Sequence, residues 1–159
     1  MGAEPAVLDP LDAPAVREAV AAARPDVVVH QLTALAGVKF GRNFDRTFAQ
    51  TNRLRTEGTD ILLAAARAAG VRRLVWQSYA GWPYARQGGP AKTEDDPLDP
   101  DPPADARESL AAIRHLERAV TEADGIAASD SRASAGGSGS SGSSSVFAGP
   151  PCRAYGQPA

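Results

Sequence analysis

In the stretch RPDVVVHQLTA three β-branched residues stand in a row, Val27, Val28 and Val29. A strand with one wet face alternates apolar and polar residues. An unbroken run instead fits a strand covered on both faces, which is the habit of parallel sheets. Parallel neighbours cannot be joined by a hairpin, so such a strand demands crossovers, usually helices, on either side. The chain must therefore supply strands and helices in alternation.

It does so. PAVLD (5–9) reads as a short strand, followed by a helix over roughly 13–23 that Asp12 can cap and whose first turn suits Pro14. Val16, Ala19, Val20 and Ala23 fall on one face of that helix. After the valine run, a longer helix is expected over much of 44–69, with Leu54, Gly58, Ile61, Leu62, Ala65 and Ala69 as its stripe. Gly58 lowers helix stability and is expected to mark a close backbone approach. Gly70 suits the C-terminal cap. RRLVWQS (72–78) reads as another buried strand, and a loop rich in Pro, Gly and Asp fills 79–103. A last helix is expected from about 104 to 124, started by Asp101 and Pro102, burying Leu110, Ile113, Leu116 and Val120. Strand, helix, strand, helix, strand, helix predicts a partial Rossmann-like, doubly wound parallel sheet.

Composition changes near Ile126. From there AASDSRASAGGSGSSGSSS has almost no apolar periodicity and cannot offset its ordering entropy by burial. The expected organisation is a partial Rossmann-like domain over 1–126 and a flexible Gly/Ser-rich tail over 127–159. Only Lys39 and Lys92 of the 17 basic residues are lysine, and Ala, Gly, Pro and Arg abound, as in a GC-rich coding sequence. In such DNA a one-base shift of reading frame favours Ala, Ser, Gly and Arg, so a frame change and a natural tail are both open readings of 127–159.

A net charge of −2 gives no broad basic field for nucleic acid or anionic lipid. Cys152 is alone, which excludes an internal disulfide or a cysteine metal site. No apolar run approaches the ~20 residues that span a bilayer. The N-terminus lacks the charged and apolar regions of a signal peptide, so a cytoplasmic protein without membrane or nucleic-acid partners is expected. In TEDDPLDPD, Pro97 and Pro100 break the ligand spacing of a calcium loop, and no metal is expected.

The segment GTDILLAAARAAGVRRLVWQS (58–78) resembles the helix–strand unit of extended and atypical short-chain dehydrogenase/reductases, the NAD-dependent epimerase/dehydratase group. PDVVVHQLTA is similar to the preceding strand of that family, and AVLDPLDAPAV to the strand and helix before it. The resemblance covers roughly residues 2–126. It implies an NAD- or NADP-using oxidoreductase or epimerase acting on a hydroxyl or carbonyl of a small molecule, with sugar nucleotides among the candidates. Its adenine carboxylate corresponds to Asp9, followed by Pro10, which has no N–H to offer a ring nitrogen. The small-residue pair beneath the cofactor corresponds to Leu32 and Thr33.

Two family features are missing. No glycine-rich loop leads a helix N-terminus to the pyrophosphate. The family's Tyr-x-x-x-Lys pair would fall at Ser109 and Ile113 when Glu117 is aligned with the family's helix glutamate. The chain as written is therefore expected to fold marginally and to bind no dinucleotide tightly. The alternative to an enzyme is an atypical NAD(P)-binding sensor without turnover.

Ser78, the last residue of its strand, is the leading catalytic candidate, because parallel sheets bind ligands beyond the carboxyl ends of their strands. A hydroxyl there can bond a substrate oxygen; the bland reading is a serine capping its own loop. Tyr84 is the candidate substitute acid, ahead of Tyr79 and Lys92. A phenol needs a nearby cation to act near neutrality. His30 is expected to make a single backbone hydrogen bond, His115 to lie on a solvated face, and Trp76 and Trp82 to pack in a core or lid.

Overall fold

The computed structural model describes residues 5–36, 38, 43–79, 83–88, 92 and 96–130. Three strands, β1 (Val27–His30), β2 (Arg73–Trp76) and β3 (Ala127–Asp130), form one sheet in the order β1-β2-β3. Both pairings are parallel: Val27 lies beside Arg73 and His30 beside Trp76, while Arg73 lies beside Ala127. Helices make the crossovers. The first helix, α1 (Ala13–Ala23), precedes β1; α2 (Phe44–Arg53) and α3 (Thr59–Ala68) carry the chain from β1 to β2; α4 (Arg107–Thr121) carries it to β3. Packing runs mainly α1 against α3 and α2 against α4.

Local chemistry explains the helix ends. Asp12 accepts from Ala15 N–H at 3.1 Å to open α1, which closes at Arg24 in the left-handed region, φ 46°. Asn43 opens α2 in the same way, accepting from Arg46 N–H at 2.8 Å. Between α2 and α3 the helix does not stop. It widens into a π-helical turn, Leu54–Gly58, that inserts an extra residue. After α3, Gly70 takes φ 70°, the conformation expected of a C-terminal cap glycine.

The core lies where Leu63, Ala66, Val71, Leu74, Trp76, Leu116, Val120, Ala123 and Ile126 meet, with Val20 and Val28 packed against it. All four apolar residues expected to anchor the last helix, Leu110, Ile113, Leu116 and Val120, are fully buried. Trp76 is core; Trp82 lies outside the described residues.

Four expectations need correction. Residues 5–9 form no strand: Val7 is fully exposed, and Asp9 starts a turn in which its carbonyl accepts from Asp12 N–H at 3.0 Å. Ala6, Val7 and Leu8 between Pro5 and Pro10 suggest extension, but a strand needs a paired neighbour, and none of the described residues supplies one. The third strand is instead β3, and it pairs with β2 from Ala127 onward, past the composition break at 126. The valine run is covered on one face only: Val27 and Val29 point to a face that the described helices leave open and are 46% and 59% exposed, while Val28 packs against the core from the other face. Finally, the stripe expected over 54–69 is met in part: Leu54, Gly58 and Ala65 are buried, whereas Ile61, Leu62 and Ala69 stay half-buried and Leu63 and Ala66 enter the core.

Candidate functional site

The carboxyl ends of β1 and β2 lie side by side, and the ladder continues past them as Gln77 N–H donates to His30 C=O at 3.1 Å. The next residue, Ser78, is buried at 9% exposure and its hydroxyl donates to Glu117 Oε1 at 2.5 Å. Thus the hydroxyl proton is committed to a carboxylate on α4, and its lone pairs remain to accept. Tyr79 follows, half-buried, with the Arg55 guanidinium carbon 5.7 Å from its ring centroid.

A polar layer runs beneath these strand ends. His30, 2% exposed, meets the Thr59 hydroxyl Oγ1 through Nε2 at 3.1 Å, a side-chain partner beyond the backbone bond expected from the sequence. Its Nδ1 has no hydrogen-bond partner among the described residues. Burial holds the His30 pKa below the ordinary histidine value, which keeps the ring neutral. Asn52 donates to Ser109 Oγ at 2.9 Å and accepts from Arg55 at 3.4 Å. Asp45, on α2, accepts from the backbone N–H groups of Glu108 (3.0 Å) and Ser109 (2.8 Å), so the start of α4 is capped from another helix rather than by Asp101.

The remaining sequence candidates are dispersed. Tyr84 is 5% exposed and built into a clasp: it bridges Leu98 antiparallel, beside the bonds from Ala85 N–H to Pro97 C=O and from Asp99 N–H to Pro83 C=O. Lys92 donates to Gln87 C=O and lies 3.9 Å from Asp96. No described contact joins Ser78 to Tyr84. Pro10 and Leu32 meet across one cavity of about 200 Å³, mostly apolar, to which Val28, Val29 and Leu62 also contribute. Asp9 and Thr33 are exposed, and the Asp9 carboxylate accepts from Leu11 N–H at 2.9 Å. His115 is half-buried and bonds Asp60 at 2.8 Å, so it is not a free surface residue. Asp45, Asn52 and Arg55 were not singled out in the sequence. Arg55 had one signal: a charge next to Leu54, at the edge of the apolar stripe.

The fit to a dinucleotide is partial. The apolar cavity suits a planar ring. A diphosphate, however, seeks open N–H groups at a helix start. Among the described helices, α1 is closed by Asp12, α2 by Asn43 and α4 by Asp45, while α3 continues from the π turn without a free start. Two of those caps are carboxylates, which repel phosphate.

A parallel sheet with helical crossovers and polar groups gathered at its strand ends is the arrangement of a nucleotide-binding α/β protein. The model of the NAD dependent epimerase/dehydratase family matches residues 3–129, and the chain belongs to that family. It is 52% identical over 119 residues to a Streptomyces protein named 3-diazoavenalumate denitrifying reductase, covering 74% of this chain and 38% of the relative. The chain thus spans well under half of that relative's length. It is also similar to the Thermus thermophilus UDP-glucose 4-epimerase solved with NAD: 27% identity, TM-score 0.55, over 77% of this chain and 38% of that one. A Bordetella bronchiseptica enzyme solved with NAD and UDP shares the fold at TM-score 0.58 and 22% identity, over 79% of this chain and 36% of its own. Among the described residues no helix is long and apolar enough to cross a membrane, and no cluster of three or more His, Cys, Asp or Glu could hold a metal.

Proposed function

We propose that this chain contributes the substrate-facing strand ends of an NAD(P)-dependent oxidoreductase or epimerase of the short-chain dehydrogenase type, acting on a hydroxyl or carbonyl group of a small molecule. The observation that carries this reading is the juxtaposition of the β1 and β2 carboxyl ends, with Ser78 two residues beyond β2, inside a family match that runs the length of the described fold. The dinucleotide supplies the hydride chemistry when bound. Pro10 and Leu32 form the wall that suits its ring; Asp9 and Thr33 lie nearby in sequence and complete the proposed cofactor side. Ser78 accepts a hydrogen bond from a substrate hydroxyl while Glu117 holds its proton. The reductase relative extends the candidates beyond sugar nucleotides to a diazo compound named as an anion.

A second reading, cofactor sensing without turnover, draws on the helix positions where the family keeps its Tyr-x-x-x-Lys pair. Ser109 there is fully buried and bonded to Asn52, and Ile113 is fully buried. Neither can transfer a proton to a substrate. Tyr84, the substitute acid proposed from sequence, would act only if the clasp opened.

Turnover separates the two. The 119 matching residues of the reductase relative are replaced by those of this chain, and NAD(P)H oxidation is followed with a panel of carbonyl compounds. Steady oxidation with any member supports the enzyme. Dinucleotide binding without turnover favours the sensor.

A further inference from the structure

Arg55 is 7% exposed, yet among the described residues it forms no ion pair. A guanidinium carries five N–H donors. Here the described partners are one long hydrogen bond, NH1 to Asn52 Oδ1 at 3.4 Å, and the face of Tyr79. Burial without a counter-charge is unfavourable, and it draws the Arg55 pKa below the ordinary guanidinium value, with Tyr79 opposing the shift. The residue also sits on the π-helical turn, a backbone distortion frequent at functional sites. Tyr79, which it faces, leaves the carboxyl end of β2, where parallel sheets bind ligands.

From this geometry we infer that Arg55 is the anion-recognition residue of the substrate site and receives an organic carboxylate, with the Tyr79 ring as an adjoining aromatic wall. The inference deepens the proposed function and rests on it for the location of the substrate. A carboxylate is the matching anion: it is planar, singly charged and takes two parallel N–H bonds from a guanidinium fork. A phosphate monoester carries up to about two charges at neutral pH and calls for more than the one buried cation described here. The Asn52–Ser109 bond fixes the amide that steers the guanidinium, so the fork is held before the ligand arrives.

The test uses the full 159-residue chain with cinnamate as probe and cinnamamide as its uncharged counterpart, by titration calorimetry. The expected result is cinnamate binding that weakens about tenfold or more in Arg55→Met, with Arg55→Lys intermediate. Cinnamamide should bind weakly and equally to wild type and Arg55→Met. Because the charge has no ion-pair partner among the described residues, Arg55→Met should also unfold at the same temperature as wild type or higher. Equal cinnamate affinity in wild type and Arg55→Met, or no binding to either, overturns the inference. So does a lowered melting temperature with unchanged binding, which marks a structural arginine, and so does displacement of cinnamate by equimolar inorganic phosphate. Failure here leaves the family-level function standing; that reading fails on dinucleotide binding in the segment-swapped reductase, a separate measurement.

Discussion

Ser78, two residues beyond the end of β2, donates its hydroxyl proton to Glu117 on α4, at 2.5 Å. One charge-assisted hydrogen bond thereby ties the sheet to the helix that leads into β3. Ser78→Ala leaves the half-buried Glu117 carboxylate without this donor, and the loss should be about 1–3 kcal/mol of stability. Urea unfolding of wild type, Ser78→Ala, Glu117→Gln and the double variant measures it. The two single losses should not add, and full additivity would show that the pair is uncoupled.

Asp45 closes the start of α4 from α2, taking two backbone N–H groups. Asp45→Ala should cost about 1–3 kcal/mol, because a buried helix start loses its acceptor. Asp101→Ala, at an exposed residue beyond that cap, should be close to neutral. Equal effects in urea unfolding would contradict the assignment of the cap.

His30 is neutral in the fold because burial lowers its pKa from 6.5. Below the unfolded value the unfolded chain takes up a proton that the folded chain refuses. Stability is therefore full above about pH 6.5 and falls as the pH drops toward the folded pKa. His30→Gln should flatten the unfolding free energy between about pH 7 and pH 5.5 relative to wild type. A slope identical in both proteins over that range would remove His30 as its source.

Gly58 was expected to permit close approach, but an added Cβ would meet Leu54 Cδ2 at 3.6 Å and Leu11 Cδ2 at 3.8 Å, ordinary contacts. Its φ of −63° is helical. Gly58→Ala should stabilise the chain by about 0.5–1 kcal/mol, visible as a higher midpoint in urea. A lowered midpoint would mean that the backbone there needs glycine after all.

What could be read from the sequence follows from how each element is specified. VVV and LVW announce their strands because β-branched and aromatic residues favour extended, packed backbone. The periodic Leu110, Ile113, Leu116 and Val120 announce α4 just as directly. Ala127–Asp130 carries no such mark; it becomes β3 because β2 offers a free edge to pair with. Val7 and Leu8 raised a false strand for the converse reason, apolar residues without a partner. At the site, Ser78 was legible from its place after a strand, but its bond to Glu117 depends on how α4 crosses β2. Arg55 was hidden more deeply. Charged residues are almost never fully buried, and the extra residue of the π turn that carries Arg55 alters the periodicity on which a stripe is read.

A working NAD(P) site that includes this chain is tested by calorimetric titration of NAD+ and NADP+ into the reductase relative carrying this chain's 119 matched residues. The folded swap should bind at least one dinucleotide saturably. The 159-residue chain titrated alongside should give little heat, since its described helix starts are already capped. A folded swap that binds neither dinucleotide would show that these residues do not form part of an NAD(P) site.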